Sequence, residues 1–141
     1  MAELTRRKLG NTGMKTACLG LGCAGFGGGN SSDRDAIEGV RRAIELGLNY
    51  VDTAPLYSES ERRVGLALEG GWRDRVYLQT KMGMYPDGTR DYSRSATRAS
   101  VENSLQLLKT DYFDAVLIHE PEAFEDAFAR DRAIDELLDM K

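Results

Sequence analysis

The sequence predicts an α/β fold, with parallel strands alternating with helices behind a small N-terminal β-hairpin. Three observations lead there. Four apolar runs of strand length recur along the chain, with helical patterns between and after them. They are spaced at roughly 30 residues per unit, which suits strand–helix–strand crossovers in a parallel sheet. Segments rich in glycine and aspartate, such as "GFGGGNSSD" and "YPDGTRD", follow strands. That makes them βα loops, at the end of such a sheet where ligands bind.

Each element has its own signal. Residues 4–15 stand outside the alternation, and Gly10-Asn11 and Thr12-Gly13 within them are hairpin turn chemistry. The first strand is expected over "TACLGLGCA", residues 16–24. Ala36, Val40, Ala43 and Ile44 then recur at helical spacing, and Gly47 sits where a C-terminal cap belongs. The second strand is "LNYVDTA", residues 48–54. Ser58-x-x-Glu61 reads as a capping box for a helix carrying Val64, Ala67 and Leu68 and stopped by Gly70-Gly71. "VYLQTKMG" (76–83) is the third strand, and Val101, Leu105 and Leu108 mark the third helix. After the fourth strand, "YFDAVLIHE" (112–120), Phe124, Phe128, Ile134, Leu137 and Leu138 predict one last helix. No linker or low-complexity tract interrupts residues 1–141, so a single domain is expected.

Composition narrows the function classes. The chain has 141 residues, enough for one modest core, with 41% hydrophobic and 30% charged residues. The net charge is −4 and no basic run exceeds Arg6-Arg7-Lys8, so neither nucleic acid nor an acidic membrane surface is an expected partner. "MAELTRRKLG" lacks the apolar segment of a signal peptide, and no run is long enough to span a bilayer. Cys18 and Cys23, five apart in one apolar run, are expected on opposite strand faces, which disfavours a disulfide or a shared metal ion. The single His excludes a His-rich metal site. This is the cysteine usage of a reducing, cytoplasmic compartment. Without secretion, the glycosylation sequon Asn30-Ser31-Ser32 is idle.

Two constellations compete for the chemistry. Gly20-Leu21-Gly22-Cys23-Ala24-Gly25 satisfies G-x-G-x-x-G, and Asp52 at the end of the next strand would then bind a ribose hydroxyl. In that fingerprint the third glycine lies in the opening turn of a helix, whereas here "FGGGNSSD" intervenes. The same glycines would equally allow close packing in a strand and a loose loop after it. The second constellation uses strand ends. Asp52, Lys81 and His119 close the second, third and fourth strands, 29 and 38 residues apart, and Tyr57 follows Asp52 in its loop. In a barrel of parallel strands such ends converge on one face. Singly, Asp52 reads as a turn acid, Tyr57 as a half-buried aromatic, Lys81 as a solvated strand end and His119 as a satisfied core imidazole. Charges at corresponding strand ends are costly unless paired, so the four together suggest a site.

The segments "RRKLGNTGMKTACLGLG", "AIELGLNYVDTAPLYSESERRVGLAL", "DRVYLQTKMG" and "SVENSLQLLKTDYFDAVLIHEPE" resemble the aldo-keto reductase family. Pro55-Leu56-Tyr57 and the "DYS" before the third helix are most similar to its sugar and aldose dehydrogenase branch. The resemblance implies a TIM barrel, four of whose eight (β/α) units are present here, with the hairpin over its base. It implies hydride transfer between a nicotinamide cofactor, NADP with NAD as the alternative, and a small carbonyl or alcohol: an aldehyde, ketone or sugar. It assigns Asp52, Tyr57, Lys81 and His119 to catalysis and Gly22, Cys23 and Asp52 to cofactor binding, Cys23 replacing a common threonine. In those roles Tyr57 exchanges the proton, Lys81 favours its phenolate, Asp52 holds Lys81, and His119 orients the substrate oxygen.

In this family the later strands carry most of the grip on the pyrophosphate and adenosine, so the 141-residue chain is expected to be catalytically incomplete. Its first and fourth strands would be open edges, which implies self-association or a missing C-terminal half. A non-catalytic half-barrel scaffold and a Rossmann-type dinucleotide-binding domain remain as alternative readings.

Overall fold

The strands pair in the order in which they occur. The computed structural model describes residues 4–141; residues 1–3 of the expected domain lie outside the described residues. A two-stranded antiparallel hairpin, β1 (Arg6–Lys8) and β2 (Lys15–Ala17), comes first. A parallel sheet follows, made of β3 (Leu21–Gly22), β4 (Tyr50–Asp52), β5 (Tyr77–Met82) and β6 (Ala115–Ile118). Its order is β3-β4-β5-β6, all neighbours parallel. An open dinucleotide-binding sheet reverses direction at a switch point, which would bring the fourth strand beside the first. Here β6 lies beside β5, the sequential order of a barrel, and the Rossmann alternative is overturned.

The expected first strand, 16–24, divides. Lys15–Ala17 joins the hairpin, which Cys18 extends by donating its N–H to Thr5 O at 2.8 Å, and only Leu21–Gly22 enters the parallel sheet. Cys18 and Cys23 therefore belong to different segments, one exposed and one buried, not to two faces of one strand.

The helices cover the sheet. α1 (Asp33–Glu45) starts from a capping box between Ser32 and Asp35 and buries Ala36, Val40 and Ile44. Gly47 follows it at φ +100°, as the sequence predicts. α2 (Ser60–Leu68) does not use the expected Ser58–Glu61 capping box. Ser58 sits outside the helix at φ +50°, Glu59 is the cap residue without a side-chain bond, and Glu61 turns inward to accept from Thr80 Oγ1 at 2.5 Å. The 3-10 turn Pro55–Tyr57 delays the helix start and so displaces the box. α3 (Arg94–Leu108) is capped by Ser93, whose Oγ accepts the Ala96 N–H.

The one expected final helix is two, α4 (Phe124–Phe128) and α5 (Ala133–Asp139), broken where Asp131 takes φ +59°. Phe124 and Phe128 stack on each other at 4.3 Å but stay exposed. Their i, i+4 spacing is thus a local pair, not a core stripe.

The main core lies between sheet and helices, around Val40, Val51, Val64, Leu68, Leu78 and Leu108. A smaller cluster forms around Met82, Tyr92 and Ala133. Among the described residues no helix is long and apolar enough to cross a membrane.

Candidate active site

Parallel register sets the first contact. Asp52 pairs with Gln79, and Lys81 is two residues further along β5, hence on the same face. Lys81 Nζ donates to Asp52 Oδ1 and Oδ2, each at 2.7 Å, and to Thr53 O at 3.0 Å. Gln79 Nε2 also donates to Asp52 Oδ1, at 2.6 Å. The Lys81 residue is only 9% exposed, so this pairing is what makes its charge tolerable.

Tyr57 closes the Pro55–Tyr57 turn, in which Pro55 fixes the entry and the Tyr57 N–H donates to Ala54 O at 3.0 Å. The Lys81 ammonium lies over the Tyr57 ring, 4.7 Å from its centroid. His119 follows β6, its N–H continuing the ladder to Met82 O at 2.8 Å. Its ring meets Tyr57 edge-on, with centroids 5.8 Å apart and planes at 85°. The structure therefore brings all four expected residues, Asp52, Tyr57, Lys81 and His119, to one rim.

His119 is 6% exposed, and its buried Nδ1 has no hydrogen-bond partner among the described residues. Burial lowers its proton affinity below the ordinary value, and the Lys81 charge lowers it further, against opposing effects of Glu120 and Asp52.

Several residues that sequence reasoning missed hold the rim. Ser60 Oγ donates to Cys23 O at 2.8 Å and bonds Thr53 Oγ1 at 2.9 Å, tying the tips of β3 and β4 to the start of α2. The Cys23 N–H donates to Asp52 O at 2.8 Å. Gly27 lies against the Tyr57 turn so closely that a Cβ there would fall 1.7 Å from Tyr57 O. Asp33 accepts from Arg62 and Arg63, which hold its carboxyl down to about 2, and Arg63 also donates to Phe26 O and Gly28 O. Gln79 had a signal, its spacing of two from Lys81; Thr53, Ser60 and Gly27 had none.

The expected cofactor residues differ in their access. Gly22 is exposed at the tip of β3, and a Cβ there would meet nothing within 4 Å, so a ligand could approach its backbone. The Cys23 side chain has no exposure and belongs to the core, and burial pushes its thiol up to about 12. Any contact made at that position would fall to the backbone. The Asp52 carboxylate is committed to Lys81 and Gln79.

The sequence profile of the Aldo/keto reductase family matches residues 18–140. L-galactose dehydrogenase of Arabidopsis thaliana is 36% identical over 128 residues, covering 86% of this chain and 40% of that protein. Aldo-keto reductase YhdN of Bacillus subtilis is 38% identical over 124 residues, covering 81% and 37%. Among solved structures, one of Pseudomonas aeruginosa described as an aldo-keto reductase superposes with a TM-score of 0.88 at 37% identity, over 96% of this chain and 54% of that one. An aldo-keto reductase from Klebsiella pneumoniae in complex with NADPH gives a TM-score of 0.75 at 29% identity, over 99% and 47%. The chain spans half or less of the length of these curated relatives and about half of these structures.

Proposed function

Because the chain belongs to the aldo-keto reductase family, we propose that it carries the proton-transfer apparatus of a nicotinamide-dependent oxidoreductase acting on a carbonyl or alcohol. One observation carries this reading: an ammonium held by a carboxylate lies against the ring of a phenol that abuts an imidazole. His119 donates to or accepts from the substrate oxygen and aims it at Tyr57. Tyr57 gives its phenolic proton to that oxygen in reduction and takes it back in oxidation. Lys81 stabilises the negative charge that Tyr57 acquires, and Asp52 keeps Lys81 charged and in place. A nicotinamide, when bound, would supply or accept the hydride at the carbonyl carbon. The Gly22 backbone, in register with Asp52 and open to solvent, could lie against its reacting end.

The NADPH bound by the Klebsiella pneumoniae neighbour supports NADP as the cofactor, and the L-galactose dehydrogenase relative supports a sugar or related aldehyde as substrate. The test is NADPH-dependent reduction of a simple aldehyde by the protein that carries these residues. Tyr57→Phe is expected to lower turnover by roughly 10²–10⁴-fold, the usual worth of a positioned proton donor. Undiminished turnover in that variant would overturn the proposal.

A further inference from the structure

The backbone leaves β6 sharply once His119 is in place. Glu120, the next residue, takes φ +42° although it is not glycine, a conformation that persists only where the surroundings hold it. β5 departs at the same level. Gly83 takes φ +100°, and Met84 bridges Arg90 across the following loop. The ladder between the two strands ends on the His119 N–H, which donates to Met82 O, so the His119 carbonyl lies past the last rung.

Tyr92 supplies the donor that this carbonyl needs. Its hydroxyl donates to His119 O at 2.7 Å and lies 3.2 Å from Glu120 O, so one group spans the strained peptide. Tyr92 is 5% exposed, and burial pushes its phenol above the ordinary value of 10.0, which keeps the proton in place. The ring is held as firmly as the hydroxyl. Just before it the Asp91 N–H donates to Gly83 O at 3.0 Å, and just after it Ser93 caps α3. A Cβ on Gly83 would fall 2.1 Å from Tyr92 Cε1, so only glycine admits the ring there. Met82 and Ala133 are buried with it, and Val116 and Ile118 pack against the three. Tyr92 therefore meets the ends of both strands, the one that carries Lys81 and the one that carries His119. A phenylalanine would serve that packing; the hydroxyl is spent on the backbone of His119 and Glu120.

We propose that Tyr92 is a positioning residue, whose hydroxyl fixes the backbone of His119 and thereby sets where the imidazole stands against Tyr57. It touches no reacting atom, and its part in the reaction rests on His119 orienting the substrate oxygen. An imidazole on a loose main chain samples many positions, and aiming an oxygen requires one.

His119 is the only histidine of the 141 residues, so the full chain labelled at histidine gives a single imidazole resonance. The Tyr57 ring and the charges of Lys81, Asp52 and Glu120 stand around it. In the unaltered chain the resonance is expected to be displaced by the Tyr57 ring current and to titrate below 6.5. Tyr92→Phe keeps the ring against Gly83 and removes only the hydroxyl. It is expected to shrink the ring-current displacement and to return the midpoint to about 6.5. Val116→Ala thins the same cluster and spares the hydroxyl; it is expected to lower the urea midpoint and leave the imidazole resonance and its titration in place. Should Tyr92→Phe fail to fold, the unaltered chain still decides. A buried, bonded hydroxyl exchanges slowly, so the Tyr92 Cζ line is expected to split in an equal mixture of H2O and D2O. An unmoved imidazole in Tyr92→Phe, an equal change in Val116→Ala, an unaltered chain that already titrates at the ordinary value without displacement, or a single Tyr92 Cζ line would overturn the proposal. None of these readouts requires turnover, so aldehyde reduction that survives Tyr57→Phe would remove the redox reading and leave them as they stand.

Discussion

Lys81 holds its charge in a site that leaves the residue 9% exposed, and all three of its hydrogen bonds go to Asp52 and Thr53. The two partners of this pair should fail differently. Asp52→Asn leaves an ammonium without its anion, and a loss of up to about 3 kcal/mol is expected, the lower end for a buried pair because the Asp52 side chain keeps 27% exposure. Lys81→Met leaves Asp52 partly hydrated and still bonded to Gln79, so stability should fall less. Urea denaturation of the two variants separates them; equal destabilisation would refute the asymmetry. His119 adds a pH dependence of fixed sign. Its proton affinity is lowered in the folded state, first by burial and then by Lys81, so the unfolded chain binds the extra proton below the ordinary value of 6.5. Its contribution is fully present above that value and is lost as pH falls below it. Between about pH 7 and about pH 5 the denaturation midpoint of His119→Asn is expected to fall less than that of the unaltered chain. Parallel slopes would remove His119 from the account.

The elements are held at their spacing by close backbone approach. At Gly65 of α2 a Cβ would lie 2.3 Å from Leu107 O and 2.9 Å from Leu108 Cα, both backbone atoms of α3 that have no rotamer to yield. Gly65→Ala is expected to push α2 and α3 apart and cost about 1–3 kcal/mol, despite alanine's better helix propensity. A thermal midpoint unchanged or raised in that variant would contradict the packing. The sequence contained the strands β4, β5 and β6 because each is an apolar run meeting a polar or charged tip, and it contained α1 through its periodicity and Gly47. What it concealed was decided by tertiary contacts. Residues 16–24 are one apolar run, but a bend at 18–19 gives its halves to two sheets. Glu61 has the spacing of a capping-box acid, yet Thr80 takes it into the interior. Phe124 and Phe128 have helical spacing, yet they pack on each other. The rim was legible for the same reason as the strands, since Asp52, Lys81 and His119 occupy corresponding positions in successive units. Thr53, Ser60 and Gly27 were not, because ordinary small residues acquire their role only from the loop that reaches them.

At the scale of the molecule the unresolved business is the two sheet edges. β3 and β6 each pair on one side only among the described residues, while a closed barrel leaves no edge at all. Leu117 on β6 is 44% exposed and Leu19 before β3 is 58% exposed. Beside β6, a groove of about 490 Å³ is lined largely by apolar side chains, among them Leu105, Phe113, Val116 and Leu137. Free backbone donors and acceptors next to apolar surface are a template for pairing, so residues 1–141 as an isolated polypeptide should not stay a dispersed, rigid monomer. Sedimentation is expected to give a dimer or larger species, or a partly molten chain that binds a hydrophobic dye. Leu117→Lys places a charge on the edge strand and should shift the distribution toward monomer. The same openness should weaken cofactor binding, because the wall opposite β3 and β6 is not supplied by this chain; fluorescence titration with NADPH is expected to give weak or no binding. A cooperative monomer with micromolar affinity would mean that four β/α units suffice to fold and to hold a dinucleotide, and would overturn the expectation that the site needs further units to close it.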